Sequence, residues 1–573
     1  MNQDKSIKEL IKRNLFKYKR YFIDGIIATI LINTLALATS LFSMQVYDRV
    51  IPTHGISTLV TLATGVFIMI CFEFALKLVR SRFMDGIVVG LDGVLSRKLF
   101  AKLLDVRLDS IPANIGSLAS QLKSYESVRG FITSSSLYVL IDLPFALLYL
   151  FVIATLGSIY LVYIALFFFV LAFGTGLILK KKIENHTKNG AEYSNKRMGQ
   201  LVETIGAMEL IKSTNTKNRF ARNWHTINRL SISNDLHIKH INENAAYISQ
   251  LFQSLGYITL VSSGAYLVVD GQMTMGALIA CTIISGRMLQ PIVALPGIFT
   301  QMAHAKAALK GLEALYALPS DFNTIKTPLK PQKLEGSYKI SNLKYNYPNN
   351  TIALDIENLQ IQKGKKIAIL GAIGSGKSTL LKLLAGLYSQ KEGNILLDNL
   401  DISHIDKENI SQNIAYMSQD CRLFEGTLKD NLLLNNKNIT DDRVRDIANI
   451  TGLLQRVLTH PSGFDLPIYE GGNGVSVGQR QLISITRVLL EHKNIWLLDE
   501  PTASLDGTIE SMCVNAIKQN IKKEDTMIIV THKPSMLHLV DEIIYMENGK
   551  ILLYGAKNDV LAKLSNVNQE RNI

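Results

Sequence analysis

Gly371-Ala372-Ile373-Gly374-Ser375-Gly376-Lys377-Ser378-Thr379 is the stretch on which the fold turns. It fits the spacing G-x-x-x-x-G-K-[ST] of a loop that wraps nucleotide phosphates. Residues 366–370, Lys-Ile-Ala-Ile-Leu, read as a short buried strand before it, and residues 380–384, Leu-Leu-Lys-Leu-Leu, as the helix after it. Gly371, Gly374 and Gly376 let backbone N–H groups around Ser375 and Thr379 turn inward on phosphate, and the helix N-terminus adds its dipole. Lys377 is expected to reach the β- and γ-phosphates of ATP, and the Ser378 hydroxyl to sit on Mg²⁺.

Further along the chain the other parts of an ATP site come in turn. Residues 495–500, Ile-Trp-Leu-Leu-Asp-Glu, form an apolar strand ending in two carboxylates. Asp499 suits the Mg²⁺ shell and Glu500 the orientation of an attacking water, because phosphoryl transfer is catalysed mainly by positioning and charge stabilisation. Residues 527–532, Met-Ile-Ile-Val-Thr-His, form a second such strand ending in His532. Both deliver polar groups at strand C-termini, where a parallel α/β sheet places its ligand. Residues 475–479, Val-Ser-Val-Gly-Gln, precede an apolar helical run, which puts Ser476 and the N–H of Gly478 at a second phosphate-binding helix start.

The rest of the chain is of another kind. Of its 573 residues 47% are hydrophobic, and most of the long apolar runs lie before residue 300. Six reach or approach bilayer length, at about 22–44, 58–78, 137–155, 157–179, 245–269 and 273–295. Residues 1–21 before them carry Lys5, Lys8, Lys12, Arg13, Lys17, Lys19 and Arg20, whereas the loop after the first run carries only Arg49 and the loop 270–272 has no cation. That asymmetry places both termini in the cytoplasm. It also accounts for the net charge of +13 without nucleic acid. Two long excursions, 79–136 and 180–244, are polar and helix-compatible, so spans two to five are expected to continue as helices beyond the bilayer. Cys71, Cys281, Cys421 and Cys513 are scattered, with no C-x-x-C pair, which argues against a disulfide framework and a zinc site. The expected organisation is a segment 1–21, a six-helix all-α transmembrane domain 22–318, a Pro-rich linker 319–334, and an α/β ATPase domain 335–565.

At this point the chain resembles an ABC transporter, and within that family an exporter half. The motifs run in the family's order. By that resemblance Tyr347 stacks on adenine, 371–379 is the P-loop, Gln419 bridges Mg²⁺ and the membrane domain, and 475–479 is the signature. Asp499 and Glu500 are the magnesium and catalytic carboxylates, Ser504-Leu505-Asp506 the loop that speaks across a dimer, and His532 the switch histidine. The family's signature contacts the nucleotide of an opposite subunit, so Ser476, Gly478, Gln479 and Asp506 are expected to serve ATP in a dimer, most economically a homodimer, with a heterodimer as the alternative. Residues 203–212 resemble the family's coupling helix, expected to dock on the ATPase domain. One departure is Val477 where the common signature has glycine. If that position needs positive φ, valine is strained; if it is a first helical turn, valine costs little, and the second reading is preferred.

Residues 44–52, Met-Gln-Val-Tyr-Asp-Arg-Val-Ile-Pro, and 141–145, Ile-Asp-Leu-Pro-Phe, resemble the ATPase/permease of bacterial type I secretion systems. An interfacial turn is the alternative for Tyr47, Asp48 and Arg49. Glu73, Asp142 and Arg287 lie within apolar spans, where an ionisable group faces a cavity, pairs, or snorkels from a helix end. Only 21 residues, none Cys or His, precede the first span, so no cargo-cleaving domain is expected there. The family implies a secreted polypeptide cargo, a periplasmic adaptor, an outer-membrane tunnel protein, and location in the bilayer of the bacterial inner membrane. An exporter of lipids or drugs on the same scaffold is the alternative.

Overall fold

The computed structural model describes residues 6–112, 114–133, 142–321, 327–347 and 351–571. The chain divides into two compact units. One holds residues up to 104 and 112–318; the other holds 105–111 and 319–573.

The first unit is all-helical among its described residues. Its elements are α1 (Ile7–Lys17), α2 (Lys19–Gln45), α3 (Ile56–Asp105), α4 (Ile115–Lys123), α5 (Tyr125–Thr133), α6 (Phe145–Leu156), α7 (Ile159–Gly206), α8 (Met208–Ser213), α9 (Lys217–Val269) and α10 (Met275–Tyr316). Among the described residues five helices are long and apolar enough to cross a membrane, and α6 is a shorter apolar one. Part of the third expected span, 137–141, lies outside the described residues. At 1.5 Å per residue the 53 residues of α9 reach about 80 Å, well over twice the ~30 Å hydrocarbon core, so the long helices must run on into water. Their core is continuous: Ile153, Leu161, Ile183, Leu260, Ile284 and Leu295 are buried together.

Three details go beyond the sequence reading. The N-terminal segment folds as amphipathic α1, whose Ile7, Leu10 and Ile11 pack on Leu91, Leu95 and Leu312. Residues Val46–Val50 form a π-helical turn, which aims Asp48 at the start of α10. Its carboxylate accepts from the Gly276 N–H at 2.8 Å and the Thr274 hydroxyl at 2.6 Å, capping that helix as an N-terminal anion should. Gly276 has no room for a side chain, since a Cβ there would lie 2.3 Å from the Met44 carbonyl oxygen. Helix α8, in the stretch resembling a coupling helix, leaves Leu210 61% exposed while Ile211 is buried.

The second unit contains a six-stranded sheet of order β12-β11-β3-β10-β9-β6 and a four-stranded antiparallel sheet of order β2-β1-β4-β5. Its strands are β1 (Tyr338–Asn346), β2 (Ile352–Ile361), β3 (Lys366–Gly371), β4 (Glu392–Leu397), β5 (Leu400–Asp401), β6 (Ile414–Met417), β7 (Gly426–Thr427), β8 (Pro467–Ile468), β9 (Ile495–Asp499), β10 (Thr526–Val530), β11 (Glu542–Glu547) and β12 (Lys550–Ala556), with β7 and β8 paired as a small ribbon. Strands β3, β10, β9 and β6 run parallel. Every residue of β9 and β10 is buried, which is why they read as unbroken apolar runs rather than alternating ones. The helices that matter for the site are α11 (Lys377–Leu384), α12 (Val477–Leu490) and α13 (Gly507–Asn520).

Two expected boundaries are corrected. Residues 105–111, assigned to the transmembrane domain, belong with the ATPase unit. Arg107 donates its N–H to the Pro319 carbonyl, Asp321 donates its own to the Asp105 carbonyl, and the Ser389 N–H reaches the Asp109 carboxylate. The expected linker 319–334 is not free either, apart from 322–326, which lie outside the described residues. Leu329 bridges to Ile405, and Leu334 is fully buried in the core between the two sheets. A Pro- and Lys-rich composition concealed one apolar anchor.

Candidate functional site

The phosphate loop starts where β3 ends. Gly371, Gly374 and Gly376 all take positive φ, a region open to glycine at no steric cost. At Gly376 the requirement is doubled, because a Cβ would lie 2.5 Å from the Ala353 carbonyl oxygen. Lys377 opens α11, is 7% exposed, and donates to the carbonyls of Gly371 and Ala372 at 2.8 Å each. Burial pulls its ammonium below the usual lysine range, while Glu500 and Asp499 act in the opposite sense. Tyr347 holds the same loop by a 2.8 Å hydrogen bond between its hydroxyl and that of Thr379; its neighbour Pro348 lies outside the described residues.

Asp499 closes β9 and is 2% exposed. Burial pushes its carboxyl above the ordinary range, and a hydrogen bond from Ser378 works against that. Its Oδ1 is buried without a hydrogen-bond partner. A buried carboxylate oxygen with nothing to accept from, beside a serine hydroxyl, suits a small hard cation with oxygen ligands. These residues therefore fit Mg²⁺.

Glu500 follows at φ +47, uncommon for a residue with a side chain and a form of stored strain typical of functional sites. Its N–H donates to the Val530 carbonyl at 2.8 Å, which ties it to the end of β10. Two side chains converge on its carboxylate: Gln419 Nε2 at 3.5 Å and His532 Nε2 at 3.6 Å. Thus β6, β9 and β10, adjacent in the sheet, deliver Gln419, Asp499, Glu500 and His532 to one edge.

The second helix start expected to bind phosphate is that of α12. Ser476 caps it: the Ser476 hydroxyl accepts from the Gln479 N–H at 3.2 Å, and the Gln479 side chain accepts from the Ser476 N–H at 2.7 Å. Gln479 thus completes a capping box. Val477 is the first helical residue, where a β-branched side chain meets no positive-φ demand. Gly478 is packed close: a Cβ would sit 2.9 Å from the Ser504 carbonyl oxygen. Asp506 caps α13, accepting from the Ile509 N–H at 3.0 Å.

Two positioning groups escaped the sequence reading. Gln481, 3% exposed, donates to the Glu500 carbonyl at 2.8 Å and accepts from the Ser504 N–H at 2.6 Å. It joins α12 to both the main chain of Glu500 and the 504–506 loop. Lys533 donates to the carbonyls of Thr502 and Leu505 and pairs with Glu510 at 2.6 Å, holding the same loop from the other side. Gln481 lies inside the signature helix and Lys533 just past His532, and neither forms a pattern of its own. Only their tertiary contacts distinguish them from ordinary helical and loop polar residues.

A P-loop ATPase unit joined to a unit of very long apolar helices defines an energy-coupled membrane transporter. Residues 354–503 match the ABC transporter family and residues 22–292 the ABC transporter transmembrane region. The chain belongs to the ABC transporters, and it couples ATP hydrolysis to transport. It is 27% identical over 96% of its length, and 77% of theirs, to the leukotoxin translocation ATP-binding protein LktB of Pasteurella haemolytica-like sp. (strain 5943B) and to the cyclolysin secretion/processing ATP-binding protein CyaB of Bordetella pertussis. With the toxin RTX-III translocation ATP-binding protein of Actinobacillus pleuropneumoniae it shares 28% identity over the same shares. The structure of a bacterial Atm1-family ABC exporter with ATP bound superposes with a TM-score of 0.84 at 18% identity, over 95% of this chain and 97% of that one; the shared fold is that of an ABC exporter.

Proposed function

We propose that the chain is the ATPase/permease of a type I secretion system, exporting a polypeptide across the bacterial inner membrane as a homodimer. One observation carries the polypeptide reading: relatives named for toxin translocation match 96% of the chain, membrane helices included. In this reading Lys377 and the backbone of 371–379 bind the phosphates of ATP, and Tyr347 meets the base. Ser378, Gln419 and Asp499 would hold Mg²⁺, which when bound offsets phosphate charge. Glu500 orients the attacking water, with Gln419 and His532 fixing its carboxylate. Ser476, Gly478 and Asp506 present their helix ends to the nucleotide of a second copy. The exposed apolar side of α8 and the positively charged N-terminal segment fit a dimer with its ATPase units in the cytoplasm. A periplasmic adaptor and an outer-membrane tunnel protein would complete the conduit.

The test is deletion of the gene followed by proteomics of the medium and cell surface. Loss of one or a few secreted polypeptides is expected. An unchanged exoproteome with new sensitivity to hydrophobic drugs, or altered lipid distribution, would replace this reading with small-molecule export.

A further inference from the structure

At helical spacing Lys8, Lys12, Phe16 and Lys19 continue one face from α1 to the start of α2. That face, with α5 and α10, lines a cavity of about 710 Å³, a volume in the range of pockets that take small organic ligands. Its walls are Leu15, Phe22, Val128, Phe131, Met302 and Leu309. Leu15, Val128 and Leu309 also belong to the cluster that holds α1 on α3 and α10, so the floor is part of the folded core. The outer wall is uncovered: Phe16 is 68% exposed and Ile23 51%.

The charges at the rim are of one sign. Lys8, Lys12, Lys19 and Lys306 line the cavity, and no carboxylate does among the described residues. Lys8 is paired with Glu313 and Lys306 with Glu184, both outside the lining. Lys12 and Lys19 are exposed; among the described residues neither has a carboxylate partner, and the Lys19 ammonium lies over the Phe16 ring at 5.0 Å. The depth follows from the sequence. Phe22 and Ile23 open the first apolar run, next to the basic segment, an end that the cation asymmetry places at the cytoplasmic face. Met302 lies about 10 Å along α10 beyond the last apolar run. An apolar cavity rimmed by lysines thus stands where acyl chains give way to headgroups.

We propose that this cavity is a resident site for one anionic phospholipid of the cytoplasmic leaflet, its acyl chain against Phe16, Phe22 and Met302 and its headgroup phosphate drawn to Lys12 and Lys19. The proposal goes beyond the transport reading and holds whichever cargo is carried. Each half of the lipid answers one feature of the cavity. Apolar walls without protein cover are kept from water by hydrocarbon, and ammonium groups without a carboxylate at a bilayer surface attract anionic lipid. A zwitterionic headgroup brings its own cation and meets Lys12 and Lys19 without net attraction. A soluble phosphate leaves the walls bare. A lipid bound here fastens α1 to α5 and α10, which gives the basic segment a role beyond orienting the first span.

The experiment uses the full-length protein in dodecyl maltoside, titrated with phosphatidylglycerol or phosphatidylcholine of identical acyl chains and read by native mass spectrometry. The first phosphatidylglycerol is expected to bind about tenfold tighter than the first phosphatidylcholine. In the double variant Lys12→Gln, Lys19→Gln that preference should fall to about twofold or less, and in Lys12→Arg, Lys19→Arg most of it should return. The double variant Lys17→Gln, Arg20→Gln removes two exposed cations of the same segment that do not line the cavity, and should keep the preference. Phe16→Ala should weaken both lipids about threefold or more. Elution as a single species with wild-type ATPase checks the fold of every variant. Equal affinities in wild type, or the same loss in both glutamine variants, overturns the site in favour of diffuse attraction to a basic surface. Displacement of phosphatidylglycerol by glycerophosphoglycerol, the headgroup without acyl chains, at equal concentration assigns the lysines to a soluble phosphate and overturns the lipid. Unchanged binding of both lipids to Phe16→Ala removes the acyl chain from the cavity and overturns it as well. Polypeptide export is judged separately, by the exoproteome.

Discussion

The two units solve opposite problems with polar groups. In the ATPase unit, Asp499, Glu500, Gln419 and His532 stand at the ends of adjacent strands, and Ser476 and Asp506 cap helices. Their positions are set by main-chain architecture, and each lies in a short contiguous motif. In the helical unit, Asn33, Glu73, Asp142 and Arg287 come from separate parts of the sequence and meet only because the helices pack. A site built on strand ends announces itself in sequence; a site built between helices does not. The ATPase site is also strained and costly by design, with Glu500 at φ +47 and a buried Asp499. The helical unit invests instead in tight backbone contacts such as that of Gly276 with Met44.

The largest effect should come from the strand-end site. Glu500→Gln keeps shape and removes the charge that orients water, so steady-state ATPase should drop about 10³-fold or more while ATP still binds. Near-normal phosphate release by the purified variant would erase the contrast. Lys377→Ala acts on binding instead: affinity for a fluorescent ATP analogue should fall about tenfold to a hundredfold. Binding equal to that of Glu500→Gln would remove the lysine from the phosphates.

The shared-site reading predicts recovery by mixing. Neither Lys377→Ala nor Ser476→Arg homodimers should turn over, yet their heterodimer keeps one site built of intact halves. ATPase should return to about half of wild type if the two sites act independently. Verified mixed dimers without activity would break it.

In the helical unit Gly276→Ala should destabilise by about 1–3 kcal/mol through overpacking. Gly286→Ala, where a Cβ meets nothing within 4 Å, should hold the thermal midpoint or raise it slightly, alanine being the better helix former. Similar midpoints for both would deny the close contact its role.

The smallest effect is one of sign. Burial raises the Asp499 pKa, only partly countered by Ser378. The folded chain therefore holds that proton more readily than the unfolded one, and the ionised carboxylate costs stability as pH rises from the unfolded value through the raised one. In Mg²⁺-free buffer at neutral pH, Asp499→Asn should raise the thermal midpoint by a few degrees while abolishing turnover, and the gain should narrow as pH is lowered. A lower midpoint at neutral pH would mean that the carboxylate is stabilised by a partner.

The sequence by itself determined the ATPase fold and its chemistry. Glycines at 371, 374 and 376 must be where the backbone turns left-handed, unbroken apolar runs must be strands covered on both faces, and a polar residue at the end of such a run must face the ligand edge. Those are local rules of backbone geometry, legible within a few residues. It also determined that long apolar helices cross a bilayer and carry on into water. Tertiary structure alone decided what depends on which distant segments touch. It assigned 105–111 to the ATPase unit, turned Asp48 into the cap of α10, and put Gln481 and Lys533 behind the 500–505 loop. It also gathered Glu73, Asp142 and Arg287 around one cavity. Burial and pairing between helices are properties of packing, and no periodicity along one chain segment encodes which neighbour a polar face will meet.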